Sequence, residues 1–144
     1  MVYSVSDYKI EIGAPVETGA PQFSAVSNVE SMEMKLKGTT KAWNPMELKG
    51  WARNMMTGKT LSFTFKGKRC YGDAGNDFVA NKLLSTGSDC AAVLKITFPN
   101  GDTLACDGLI DITSSFGGAS TDMDSMEWTY TVDGKPDYQE APKA

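Results

Sequence analysis

The sequence contains no histidine in its 144 residues. Histidine is the side chain that changes charge nearest neutrality and a frequent metal ligand. Its absence removes the commonest general base and a common ligand together. Cysteine is scarce: Cys70, Cys90 and Cys106 are an odd set, widely spaced, without the pairing of a disulfide framework or a zinc site. They read as reduced thiols of a protein made in a cytoplasm. A Cys90–Cys106 bridge across an expected hairpin is the less favoured alternative. No apolar run approaches the roughly 18 residues of a membrane helix. Residues 1–13 also lack the apolar centre of a signal peptide. An extracellular destination would therefore be reached by lysis or inside a particle. Basic excess is missing too. The net charge is −4 and the pI about 4.8, a poor balance for gripping duplex nucleic acid through its phosphates.

What is present is a chain of single-domain length with 41% hydrophobic residues, enough to bury about two-thirds of its unfolded surface. It has no internal repeat and no low-complexity tract. Residues 1–22 hold a short candidate strand over 8–12 and then Gly13, Pro15, Gly19 and Pro21. This punctuation predicts an extended N-terminal arm. Residues 24–37 alternate, with Glu30, Met32, Met34 and Leu36 on one side and Val29, Ser31, Glu33, Lys35 and Lys37 on the other. Such a pattern is a half-buried strand. Residues 39–58 lose the period of two and read as a long inter-strand loop. That loop carries Trp43, Met46, Leu48, Trp51, Met55 and Met56. Trp and Met are enriched at protein interfaces; a loop folded over its own core is the plain alternative.

Leu61, Phe63 and Phe65 share one face of the next strand. A short helix follows, capped by Asn76 or Asp77 and running to Leu84, with Phe78 or Val79, Leu83 and Leu84 inward. Ala92, Leu94, Ile96 and Phe98 then face one way before Pro99-Asn100-Gly101-Asp102. Asn-Gly between alternating runs is a strong hairpin signal. The return strand sets Leu104, Cys106, Ile110 and Ile112 against Thr103, Asp107, Asp111 and Thr113. The last strand sets Met126, Trp128, Tyr130 and Val132 against Glu127, Thr129 and Thr131. Residues 137–144 read as a disordered or extended tail. The fold class is mainly β, with one short flanking helix.

Chemical motifs are weak. Gly58-Lys59-Thr60 has Arg53 where a phosphate-binding loop needs its first glycine, and a strand rather than a helix follows. Asp73, Gly75 and Asp77 begin like a calcium loop, but Phe78 and Leu84 stand at the required Gly and Glu positions. Asp107 and Asp111 lie about 13 Å apart along one strand, beyond the spacing of a glycosidase pair. No serine has a histidine to activate it. The residues predict a non-enzymatic protein with no cofactor and no metal.

The stretch from Leu94 through Lys95, Phe98, Pro99, Asn100 and Gly101, the strand from Leu109 to Phe116, and the closing run from Trp128 through Gly134, Lys135 and Pro136 together resemble the major tail tube proteins of long-tailed bacteriophages. Gly108 stands at a matching place, and the likeness spans residues 59–136. It implies a β-sandwich or small barrel with one flanking short α-helix. It also implies homohexameric rings stacked into a tube, whose polar, acidic lumen repels phosphates and passes genomic DNA without specific binding during ejection. Related folds occur in contractile-tail inner tubes and in the type VI secretion tube. The further partners implied are the tape measure, tail terminator and tail tip proteins, and the location is the virion tail after synthesis in the host cytoplasm. On this reading Asp107, Asp111, Thr113, Glu127, Thr129 and Thr131 are the candidate lumen-facing residues. Tyr3, Tyr8, Ile10, Trp43, Met46, Leu48, Trp51, Met55 and Met56 are the candidate subunit contacts. The alternatives are an inner tube of a contractile phage, tailocin or secretion system and, from another class, a monomeric β-sandwich binding module.

Overall fold

A computed structural model describes residues 1–16 and 19–142. Eight strands follow in chain order: β1 Lys9–Gly13, β2 Ser24–Ala25, β3 Val29–Trp43, β4 Arg53–Lys68, β5 Ala91–Thr97, β6 Thr103–Ser114, β7 Ser125–Val132 and β8 Asp137–Gln139. The single α-helix among the described residues, α1, is Ala74–Ala80. All pairings are antiparallel, in the order β2-β1-β5-β6-β7-β4-β3, with β8 extending the β7 side of β6.

The two ends of this order are joined by residues 26–28. Ala25 pairs with Glu11 of β1, and Val29 already pairs with Gly67 of β4. Between them Val26 donates its N–H to Ile10 O at 3.1 Å, and Lys68 donates to Asn28 O at 2.9 Å. Asn28 makes the bend at φ 60, a conformation that asparagine tolerates better than most residues. The sheet thus curls back on itself into a small barrel-like body.

The alternating residues fill it. Phe65, Trp128, Tyr130, Ile12, Leu94, Ile96, Ile110 and Val79 are fully buried. Phe65 stacks on Trp128 with centroids 4.4 Å apart. The Tyr130 hydroxyl lies 2.7 Å from Ala92 O and 2.9 Å from Cys106 O, which satisfies the one polar atom this ring brings inside. Burial pushes the tyrosine's pKa up, and it raises the Cys106 thiol to about 12.

The helix α1 closes the seam. Asp73 caps it, accepting from Asn76 N–H at 3.0 Å and from Ser27 N–H at 3.2 Å, and the Asn76 contact is the main cause of its lowered pKa. The buried Asn76 amide donates to Lys68 O and Ser27 O and accepts from Arg69 and Cys70 N–H. A Cβ on Gly75 would lie 2.3 Å from Ala25 O, so only glycine allows this approach. The expected helix to Leu84 is cut short. It ends at Ala80, and Val79 is buried while Leu83 and Leu84 are exposed. Residues 81–84 form hydrogen-bonded turns instead of continuing the helix and its inward stripe.

Three other expectations change. The loop predicted over 39–58 is mostly strand: β3 and β4 pair as far as Trp43 opposite Arg53, leaving a connection of residues 44–52. Thr39 faces Gly58 and Thr40 faces Met56, so Thr57 is an extra residue on β4 and breaks the period of two that would reveal that strand in sequence. The arm over 1–22 is not free along its length, because β1 pairs with β5 and Ile12 is 1% exposed. In the tail predicted over 137–144, residues 137–139 are β8, paired with Thr103–Ala105; residues 143–144 lie outside the described residues. Tyr138 donates to Asp102, packs edge-on to Phe98 at 5.6 Å, and Ala141 N–H donates to Asp102 at 2.7 Å.

Candidate assembly surfaces

The cross-strand register gathers the expected lumen-facing residues on one outer face. Asp111 lies opposite Thr129, and Thr131 is flanked by Leu109 of β6 and Ser62 of β4. Thr64 and Lys66 extend the face beside Thr129 and Glu127, and Glu33 and Lys35 of β3 continue it. Asp107, Asp111, Thr113 and Thr131 are exposed; Glu127 and Thr129 are half-buried. Thr113 donates its hydroxyl to Glu127 O at 3.3 Å. The face is therefore continuous over four strands and carries both signs of charge, with Lys66 4.0 Å from Glu127.

The second surface is the β3–β4 hairpin beyond the body. β4 pairs with β7 only from Ser62 onward, so from Leu36 opposite Leu61 to Trp43 opposite Arg53 the hairpin runs alone. Eight residues of strand give it a reach of about 26 Å. Among the described residues both of its backbone edges are unpaired there, and β3 has no neighbour but β4 along its whole length. Open edges of this kind invite strand addition. Met34, Leu36, Trp43, Met46, Leu48, Trp51, Met55 and Met56 are all exposed on or near it, Met46 at 91% and Trp51 at 78%. Lys49 and Gly50, with φ 53 and 98, turn the tip. The Arg53 guanidinium sits 5.9 Å from the Trp43 ring. This concentration of exposed apolar surface exceeds scattered single residues and makes the hairpin a candidate contact surface.

The expected contact residues divide accordingly. Trp43, Met46, Leu48, Trp51, Met55 and Met56 lie on the hairpin and its connection, and Tyr3 is exposed at the N-terminus. Tyr8 and Ile10 do not join them: both pack against the core, Tyr8 edge-on to Phe98 at 5.3 Å. The β1–β5 pairing holds them there, because alternate residues of β1 must point inward. Sequence reading also missed the cations. Lys35, Lys37, Lys41, Lys49, Arg53 and Lys59 against Glu47 give residues 35–60 a charge of +5, leaving −9 on the rest. Charge counted by segment, rather than over the whole chain, reveals it.

Among the described residues, no three His, Cys, Asp or Glu side chains come together as a metal site, and no helix is long and apolar enough to cross a membrane. The three thiols are unbridged.

No family model and no curated protein matches this chain. Solved structures do. A chain in the tail of an empty gene transfer agent particle, determined with C6 symmetry, aligns with a TM-score of 0.68 at 19% identity, covering 96% of this chain and 100% of that one. A chain in the virion of a native gene transfer agent particle gives 0.66 at 14% identity, with coverage of 96% and 100%. A chain in the sheath/tube terminator of an extracellular contractile injection system, in its extended state, gives 0.60 at 14% identity, with coverage of 97% and 98%. The chain has the fold of these tail and injection-system components over nearly its whole length.

Proposed function

We propose that this protein is a structural subunit of a phage-type tail tube, located in the virion tail, that assembles with copies of itself into hexameric rings and stacks those rings. The observation that carries the reading is the unpartnered β3–β4 hairpin, projecting from a body whose fold is shared with components of C6-symmetric tails. A hairpin with two open edges and a Trp/Met-rich tip is unfavourable in a monomer and becomes satisfied when a neighbour covers it. In this arrangement Trp43, Met46, Leu48, Trp51, Met55 and Met56 make subunit contacts, with Tyr3 as a further contact at the N-terminus. The polar face of Asp107, Asp111, Thr113, Glu127, Thr129 and Thr131 lines the channel. Its hydroxyls and mixed charges offer phosphates no continuous basic track, so DNA slides without sticking. Tape measure, terminator and tip proteins meet the ends of the stack.

A second reading is the inner tube of a contractile system, favoured by the match to an injection-system sheath/tube terminator. Its cargo need not be DNA.

Electron microscopy of the purified protein tests the proposal. Rings or tubes of six-fold symmetry are the expected outcome, and a strictly monomeric species at every concentration would refute it.

A further inference from the structure

The charge of this chain is divided in space as well as in sequence. Lys35, Lys37, Lys41 and Arg53 lie on the same outer side of the β3–β4 hairpin, as the register Lys35–Ser62, Lys37–Thr60, Lys41–Met55 and Trp43–Arg53 shows. All four are exposed, and none has a carboxylate within 4.0 Å among the described residues. Three strands away in the same sheet, β6 presents Asp107 and Asp111 on its outer side, and Asp133 donates its N–H to Asp107 O at 2.7 Å just beyond β7. These carboxylates are also exposed and have no salt-bridge partner among the described residues. One molecule cannot satisfy both groups itself. The hairpin runs outward from β4, whereas β7 and β4 hold β6 away from β3.

We infer that the basic side of the β3–β4 hairpin docks along the Asp107/Asp111/Asp133 side of a second copy of this chain, so that each subunit gives cations to one neighbour and carboxylates to the other. This inference rests on the self-assembly proposed above and adds to it the residues that set direction. Two different patches on one molecule make a heterologous contact, which closes into a ring or continues as a filament instead of stopping at a dimer. Opposite charges across the contact fix which side meets which, because hairpin against hairpin sets five excess positive charges against five. The apolar residues Trp43 and Met55 on the same side of the hairpin supply buried area, and the charges supply orientation. Docking covers Asp107 and Asp111, so of the six residues proposed for the channel it leaves Thr113, Glu127, Thr129 and Thr131 to line it.

The test is a charge swap read by sedimentation velocity and electron microscopy, with circular dichroism as the check of folding. The variants are K37E/K41E, D107K/D111K and the four-fold combination. All four side chains changed across these variants are exposed, so each variant is expected to fold. Wild-type protein should assemble at low salt, with its threshold concentration raised roughly tenfold or more in high salt, since exposed charge pairs are screened. Each two-fold reversal should raise the threshold at least as much, and the four-fold variant should restore it. An equimolar mixture of the two-fold variants should co-assemble where neither does alone. If the reversals assemble at the wild-type threshold, the charge pairing is wrong while self-assembly stands. If wild type never assembles, both fall. If K37E/K41E instead removes salt-sensitive retention of duplex DNA, and D107K/D111K assembles normally, the hairpin cations serve nucleic acid and the inference is overturned.

Discussion

At the residue scale, the structure separates side chains that close the body from those left for other molecules. Tyr130 illustrates the first kind: a hydroxyl between Ala92 O and Cys106 O ties β5, β6 and β7 together inside the core. Tyr138 makes a different tie at the surface. Its hydroxyl bond is the largest reason that the Asp102 pKa falls below its ordinary 3.8, with Ala141 N–H adding to it. The same bond is the largest reason that Tyr138 rises from 10.0 to about 12. The lowered carboxyl contributes stability above its unfolded value, lost as pH falls through the folded value. The raised phenol contributes below pH 10.0, lost as pH rises toward about 12. Thermal unfolding of wild type and Tyr138→Phe should therefore differ most near neutrality and converge at both extremes. Equal stability at every pH would show that packing on Phe98, which the phenylalanine ring keeps, and not the hydrogen bond holds β8.

At the element scale, β1 is the informative case. Its residues lie in a segment dense in Gly and Pro that reads as an arm, yet Ile12 is buried and β1 bridges β2 and β5. Removing residues 1–13 is expected to unfold the protein. It uncovers the β5 edge and deletes a core isoleucine, whose truncation to alanine alone costs about 2–5 kcal/mol. Circular dichroism and denaturant titration of the truncated chain check this, and a cooperative native-like transition would contradict it. The β3–β4 hairpin shows the reverse error. Its far part, residues 39–43 and 53–58, is regular strand that sequence reads as a loop, because the extra residue Thr57 interrupts the alternation of β4 and because Trp43, Met55 and Met56 are exposed apolar residues on both sides with no body beneath them.

At the scale of the whole molecule, the decisive feature is closure of the sheet at residues 26–28 and its sealing by α1. Asn76 is the joint, holding Ser27 O from the crossover and Lys68 O from the end of β4 with one buried amide. Asn76→Ala leaves those carbonyls and the Cys70 N–H without this partner. It should lower stability by about 1–3 kcal/mol, measured by urea unfolding; an unchanged midpoint would mean that water replaces the amide. The same closure determines which surface remains for assembly. With the body sealed on itself, the hairpin beyond Leu61 and the polar outer face are the surfaces left for the assembly proposed above.

The sequence by itself determined what local pattern can determine. Alternation around Phe65, Leu94, Ile110, Trp128 and Tyr130 fixed the buried sides of β4 to β7, Asn100-Gly101 fixed the β5–β6 turn, and the order of short motifs in residues 59–136 pointed to the fold shared with the tail and injection-system components. The polar residues of β6 and β7 were legible for the same reason, since a period of two assigns both sides of a strand at once. Only the tertiary structure decided that β1 and β8 are built in, that residues 39–43 and 53–58 are strand, and that the sheet closes at residues 26–28. These depend on pairings between segments distant in the chain. A hydrogen bond from Val26 to Ile10 or from Lys68 to Asn28 leaves no period in either partner's sequence, because the backbone groups that make it are the same in every residue.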